Sequence, residues 1–146
     1  MSDIIVGVDG SGHSQRALAW AMKEAAIRHA PLTVITVHPA IKGITGGPVN
    51  FADDRVRTEE ARTAAQAETE KVLAELTGPH PESVTVKAVH GFPVDVLIDA
   101  SKDADMLVLG SRGAGGFSRL VLGSVADQVV RHALSPVLIV PAENHE

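Results

Sequence analysis

The sequence predicts an α/β domain built on one open, doubly wound sheet of five parallel strands, in the order 3-2-1-4-5, with helices on both faces. Three observations predict the sheet and its covered faces, and the order is that of a doubly wound, flavodoxin-like arrangement with the first strand central. Five short β-branched runs alternate with helix-favouring segments along 146 residues, which calls for a parallel sheet with right-handed crossovers. Those runs are apolar on both parities, as strands covered on both faces must be. Apolar residues make up 45% of the chain and charged residues 21%, enough to bury a core without a metal or disulfide staple. A single domain over residues 1–142 is expected, with a frayed polar tail at 143–146.

The first strand is IIVGV at 4–8, stopped by Asp9-Gly10-Ser11-Gly12. A helix follows over 14–29, where Leu18, Ala21, Met22 and Ala25 form one apolar stripe; Trp20 on the same helix is expected to pack in the core or a groove. Pro31 ends that segment, and LTVITV at 32–37 is the second strand. Residues 39–54 carry Gly43, Gly46, Gly47 and Pro48 without a period, which reads as a long functional or mobile loop. An Ala- and Glu-rich outer helix is expected over 55–76, ended by Gly78-Pro79-His80-Pro81. VTVKAV at 84–89 is the third strand. Pro93 then sits in the first turn of a helix whose inner face is Val94, Leu97 and Ile98. DMLVL at 105–109 is the fourth strand, 110–123 a Gly-rich connection, 124–134 the last helix and PVLIV at 136–140 the last strand.

Composition excludes several function classes. The absence of cysteine removes disulfides, thiolate metal sites and thiol nucleophiles. A net charge of −5 argues against nucleic acid and anionic membranes as partners. Aromatic residues, at 3%, are too few for base-stacking platforms. The opening MSDIIVGVDG has neither the basic region nor the apolar run of a secretory signal, and no apolar run reaches membrane-span length. The expected location is therefore cytoplasmic.

Doubly wound sheets bind ligands at the carboxyl ends of strands where the strand order reverses. Here that point lies between the first and fourth strands, and two glycine-dense loops leave it: Gly10-Ser11-Gly12 and Gly110-Ser111-Arg112-Gly113. Glycines let consecutive N–H groups converge on an anion. Ser124 reads as the N-cap of the last helix, with Asp127 in a capping-box-like position, and the positive end of that helix favours phosphate. The opposing reading is that such loops only make turns. Neither G-x-x-x-x-G-K-[ST] nor a complete G-x-G-x-x-G is present.

The spacing Gly110-x2-Gly113-x9-Gly123-Ser124 resembles the ATP-binding signature of the universal stress protein family. The opening IIVGVDGSGHSQRALAWA, the stretch VHGFPVDVLIDASKDADMLVLGSRG and the ending GSVADQVVRHALSPVLIVP are similar to the same family, so the resemblance covers essentially the whole chain. It implies an adenine nucleotide alpha hydrolase-like fold and ATP as ligand, with Mg or Mn held by the phosphates and no protein metal cluster. It implies that Asp9, with the backbone at Gly7 and Val8, meets the adenosine part. The backbone at Val37 or His38 reads the adenine edge, and Leu109 and Gly110 flank the ribose and α-phosphate. Gly113, Gly123, Ser124 and Val125 hold the phosphates. The turn after the first strand lacks the proline that some members carry.

Other readings stay open on the residues alone. Asp9 is either a ligand contact or an Asx-turn residue. Arg112 either meets phosphate or is solvated, and Arg119 reads as surface. His38 lies nearest the expected pocket, with His90 a weaker candidate; the seven histidines show no metal-type pair on one helix. The last strand, Val137–Val140, is an edge that either the tail or a second copy must cover, and the family resemblance implies a homodimer through it. No lysine or acidic residue is placed to drive fast phosphoryl transfer, so the expected function is nucleotide-dependent regulation in stress, with at most slow hydrolysis. The alternatives are a nucleotide-independent dimeric module or a cAMP-binding protein using the same pocket.

Overall fold

The computed structural model describes residues 3–111 and 122–141. In chain order the elements are β1 (Asp3–Val8), α1 (Gly12–Arg28), β2 (Leu32–Pro39), β3 (Ile41–Lys42), β4 (Pro48–Val49), α2 (Asp54–Glu75), β5 (Val84–Gly91), α3 (Pro93–Ser101), β6 (Ala104–Gly110), α4 (Ser124–His132) and β7 (Val137–Val140). Five strands form one parallel sheet in the order β5-β2-β1-β6-β7. Counted along the chain, that is the expected 3-2-1-4-5.

The alternation of side chains along a strand divides the core into two layers. Ile4, Val6 and Val8 of β1 pack with Leu32, Val34 and Val108 against Leu18, Ala21, Met22 and Ala25 of α1 and Ala65 and Val72 of α2. On the opposite face Ile5, Ile35, Leu107 and Leu109 meet Leu97 of α3 and Val129 of α4. Gly7 belongs to this second parity. A Cβ built there would lie 2.8 Å from Leu109 Cδ2 and 3.2 Å from Leu97 Cδ2, so its lack of a side chain lets α3 close on the sheet. Ser101, fully buried, ties α3 to the chain after α4: its Oγ donates to the Ile98 carbonyl at 2.7 Å and accepts from Leu134 N–H at 2.9 Å.

Three sequence expectations change. The stretch after β2 holds a small antiparallel hairpin, β3 with β4, closed by a Gly43 N–H to Gly47 carbonyl bond of 2.7 Å. Two-residue strands are too short to leave a periodic signal. Trp20 lies on the outer side of α1, 45% exposed, with Lys23 Nζ 5.7 Å from its ring centroid. Ala17, Leu18, Ala21, Met22 and Ala25 on the other side of α1 already fill the space above the sheet. Ser124 is the first residue inside α4 and not its cap, as described below. Among the described residues no helix is long and apolar enough to cross a membrane.

Candidate functional site

The strand order reverses between β1 and β6, and the chain leaves both at the carboxyl edge of the sheet. Val6 is paired with Val108, and Val8 with Thr36. Gly7, Val8 and Asp9 therefore end beside Leu109 and Gly110, while Val37 and His38 run further along β2. Val8 and Leu109 are buried and Asp9 is exposed. The turn out of β1 is built by Asp9 itself: its Oδ1 accepts from Ser11 N–H at 2.9 Å and from Ser11 Oγ–H at 2.6 Å. Gly10 takes a φ of +82° there, a conformation that favours glycine. Ser11 then caps α1, its Oγ accepting from Ser14 N–H at 3.3 Å. The Asx-turn reading of Asp9 thus holds, and the turn fixes where its carboxylate stands.

The start of α4 is bound to the end of β6. Ser111 N–H donates to the Val140 carbonyl at 2.9 Å, and Gly123 N–H donates to the Ser111 carbonyl at 2.7 Å. Gly123 is the N-cap, with extended φ/ψ of −64° and 159°, and its carbonyl accepts from Asp127 N–H at 2.9 Å. This corrects the expectation that Ser124 caps the helix. Glycine is itself an acceptable cap residue, and the tie to Ser111 sets the boundary one residue earlier. It also removes Gly123 N–H from any anion. The first-turn N–H groups of Ser124, Val125 and Ala126 have no partner within the helix, and they carry its positive end. Ser124 and Val125 are exposed. Arg112 and Gly113 lie outside the described residues.

Glu68 is a residue that the sequence reading missed. It stands on the inward stripe of α2 with Ala65, Thr69 and Val72, and its Oε1 is buried without a hydrogen-bond partner. Burial pushes its carboxyl above the ordinary glutamate range. The nearby Gln15 side chain opposes this, the negative charge of Asp9 adds to it, and Lys71 again opposes it. An acidic residue on an otherwise apolar helical stripe is the signal that could have found it. The folded chain holds this proton to higher pH than the unfolded chain does, so its stabilising effect is complete below the unfolded pKa and is lost as pH rises through the folded one. Glu68→Gln should therefore flatten the fall of the urea midpoint as pH rises above the ordinary glutamate pKa, and should match or exceed the parent once the folded-state carboxyl has ionised. Identical slopes for the two proteins would disprove the burial effect.

His38 leaves this edge on the α2 side. Its Nε2 lies 3.0 Å from Asp54 Oδ1, at the first residue of α2. Asp54 is buried and also accepts from Phe51 N–H through Oδ2 at 2.6 Å. The Phe51 N–H bond first, and then the His38 bond, hold its carboxyl below the usual range. His90, paired with His38 across β2 and β5, stacks on it with ring centroids 5.1 Å apart. Of the expected nucleotide contacts among the described residues, His38 alone has its side chain engaged in this second cluster.

Residues 1–141 match the universal stress protein family model. A universal stress protein of Mycolicibacterium smegmatis is 34% identical over 143 residues, covering 97% of this chain and 48% of that protein. The chain thus spans about half the length of the curated relatives it matches. The universal stress protein UspA from Lactobacillus plantarum superposes with a TM-score of 0.75 at 24% identity, covering 95% of this chain and 97% of the other. A universal stress protein crystallised in complex with cAMP superposes with a TM-score of 0.66 at 26% identity, covering 95% of both chains.

Proposed function

The chain belongs to the universal stress protein family, and from that premise we propose that it binds ATP across the carboxyl ends of β1 and β6. One observation carries the reading: the Gly123 to Ser111 bond holds the N-terminus of α4 against the end of β6, where the strand order reverses. In this reading Asp9 and the backbone at Gly7 and Val8 meet the adenosine. The backbone at Val37 or His38 reads the adenine edge, and Leu109 and Gly110 flank the ribose and α-phosphate. The first-turn N–H groups at Ser124 and Val125, with Arg112 and the backbone at Gly113, hold the phosphates. Gly123 contributes its extended cap and not its amide.

Mg or Mn is held by the phosphates and water in this reading. Among the described residues of the site none is a positioned base for the attacking water, so in this reading hydrolysis is at most slow and the protein works as a nucleotide-dependent regulator of stress responses in the cytoplasm. The outer edge of β7 lies at the end of the sheet order, and a homodimer pairs two copies there. Sedimentation of a monomer at micromolar concentration would remove the dimer and leave the nucleotide reading intact.

A second reading, cAMP as the ligand, is favoured by the occupied amide of Gly123, since a single phosphate needs fewer donors. The related structure that carries cAMP supports it as well. Calorimetric titration with ATP-Mg, ADP, AMP and cAMP tests both. ATP-Mg is expected to bind most tightly and to raise the unfolding temperature, since a ligand at about a hundred times its Kd adds about 2.7 kcal/mol to stability. Tighter binding of cAMP than of ATP would select the second reading. No heat and no thermal shift with any of the four would leave a nucleotide-independent dimeric module.

A further inference from the structure

We propose that His38, His90 and Asp54 form a binding site for a divalent transition-metal ion of the zinc, cobalt or nickel class. Three separate elements build it. The register of β2 on β5 sets His38 opposite His90, and the even parity of both places them on the face covered by α2. Asp54 opens α2. The His38 Nε2 to Asp54 Oδ1 distance is 3.0 Å and the His90 Nε2 to Asp54 Oδ2 distance is 3.6 Å. One donor atom from each residue lies within 4.8 Å of the other two. Donors about 2.0–2.1 Å from a tetrahedral zinc stand roughly 3.4 Å apart, so no pair of donors need approach by more than about 1.4 Å to close the set.

The arrangement exceeds what a plain hydrogen bond needs. One imidazole suffices to pair Asp54, and the 3.6 Å separation of the second is beyond hydrogen-bond range. His90 is nevertheless stacked on His38, with both Nε2 atoms at the same carboxylate. The carboxylate is oriented by Phe51 N–H at 2.6 Å, the kind of outer support that metal ligands receive. Side chains of His38, His90 and Asp54 retain 21%, 19% and 11% exposure, so the donors are shielded and still reachable. Two imidazoles and one carboxylate suit borderline first-row ions and not Mg2+ or Ca2+, which prefer oxygen ligands.

Three protein donors leave coordination positions open for water or an anion. Asp54 and His90 also line a groove with Asn50, Phe51, Arg55 and Ala88, which gives the ion an entry path. A bound ion would clamp the first turn of α2, and the chain just before it, onto the sheet. The sequence shows no His pair at helical spacing because the pair is made by strand register.

The test uses the full, untagged chain without nucleotide, so that phosphates cannot supply the ligands and failure leaves the ATP reading untouched. Co2+ titration is followed by visible absorption, and Zn2+, Ni2+ and Mg2+ binding by equilibrium dialysis. The expected result is one Co2+ or Zn2+ per chain with intense ligand-field bands, and no comparable Mg2+ uptake. His90→Ala and Asp54→Asn should each weaken binding by roughly a hundredfold, since outer-shell partners alone are worth about ten- to a hundredfold. His80→Ala should bind as the parent does. Far-UV circular dichroism confirms that each variant is folded. Absence of stoichiometric binding overturns the proposal, and so does parent-like affinity in a folded His38→Ala/His90→Ala double variant.

Discussion

Leu107→Ala is expected to lower the unfolding free energy by about 3–4 kcal/mol, within the range for a leucine removed from a closed core. Leu107 is fully buried and lies in β6, hydrogen-bonded between β1 and β7: it faces Ile5 on one side and Val137 on the other. Its side chain shares the core layer with Leu97 of α3 and Val129 of α4, so truncation opens a void beneath two helices at once. Small side chains cannot move into that void, because sheet hydrogen bonds hold the strands at fixed spacing. Domains of this size are stable by about 5–15 kcal/mol, so the loss is a large share, visible as a fall of roughly 10 °C in Tm. Val130→Ala on the outer side of α4, where Val130 is 45% exposed, should change stability by no more than about 0.5 kcal/mol. A Leu107→Ala loss below about 1 kcal/mol in urea unfolding would show that this layer repacks freely.

The same layering explains why so much of the fold could be read from the sequence. A strand apolar on both parities has two covered faces, which with alternating helical segments leaves few topologies. The order β5-β2-β1-β6-β7 is one of them, the one with the first strand at the centre. The stripe Leu18, Ala21, Met22 and Ala25 is fully buried because helical period alone determines which residues share a face. What escaped depends on contacts between distant segments. Nothing local distinguishes Gly123 from Ser124 as the cap; the Ser111 carbonyl does so. His38, Asp54 and His90 converge through strand register and the arrival of α2, and neither has a spacing signature. The β3–β4 hairpin is too short for any period. Glu68 was legible in principle, since the stripe of α2 marks it as inward, but the proximity of Asp9 was not.

Ser124→Asp is expected to weaken ATP binding by about tenfold to a hundredfold while leaving the fold at least as stable. The two effects separate because they act on the same N–H groups in opposite ways. A carboxylate in the first turn of a helix interacts favourably with its positive end, by about 0.3–1 kcal/mol at an exposed position. Ser124 is exposed, and Asp127 already occupies that turn without disrupting it. A triphosphate drawn to the same turn must then approach a fixed negative charge. At about 5 Å and an effective dielectric near 20 that repulsion is on the order of 3 kcal/mol per unit charge before salt screening. Ser124→Ala keeps every main-chain donor and loses only the hydroxyl, so it should weaken ATP by much less. The loss in Ser124→Asp should shrink in the order ATP, ADP, AMP, because fewer phosphate charges meet the new carboxylate. Adenosine should bind the parent and the variant alike. Equal ATP affinity in the parent and a folded Ser124→Asp would place the phosphates away from α4, and a uniform loss for all four ligands would point instead to a distorted pocket.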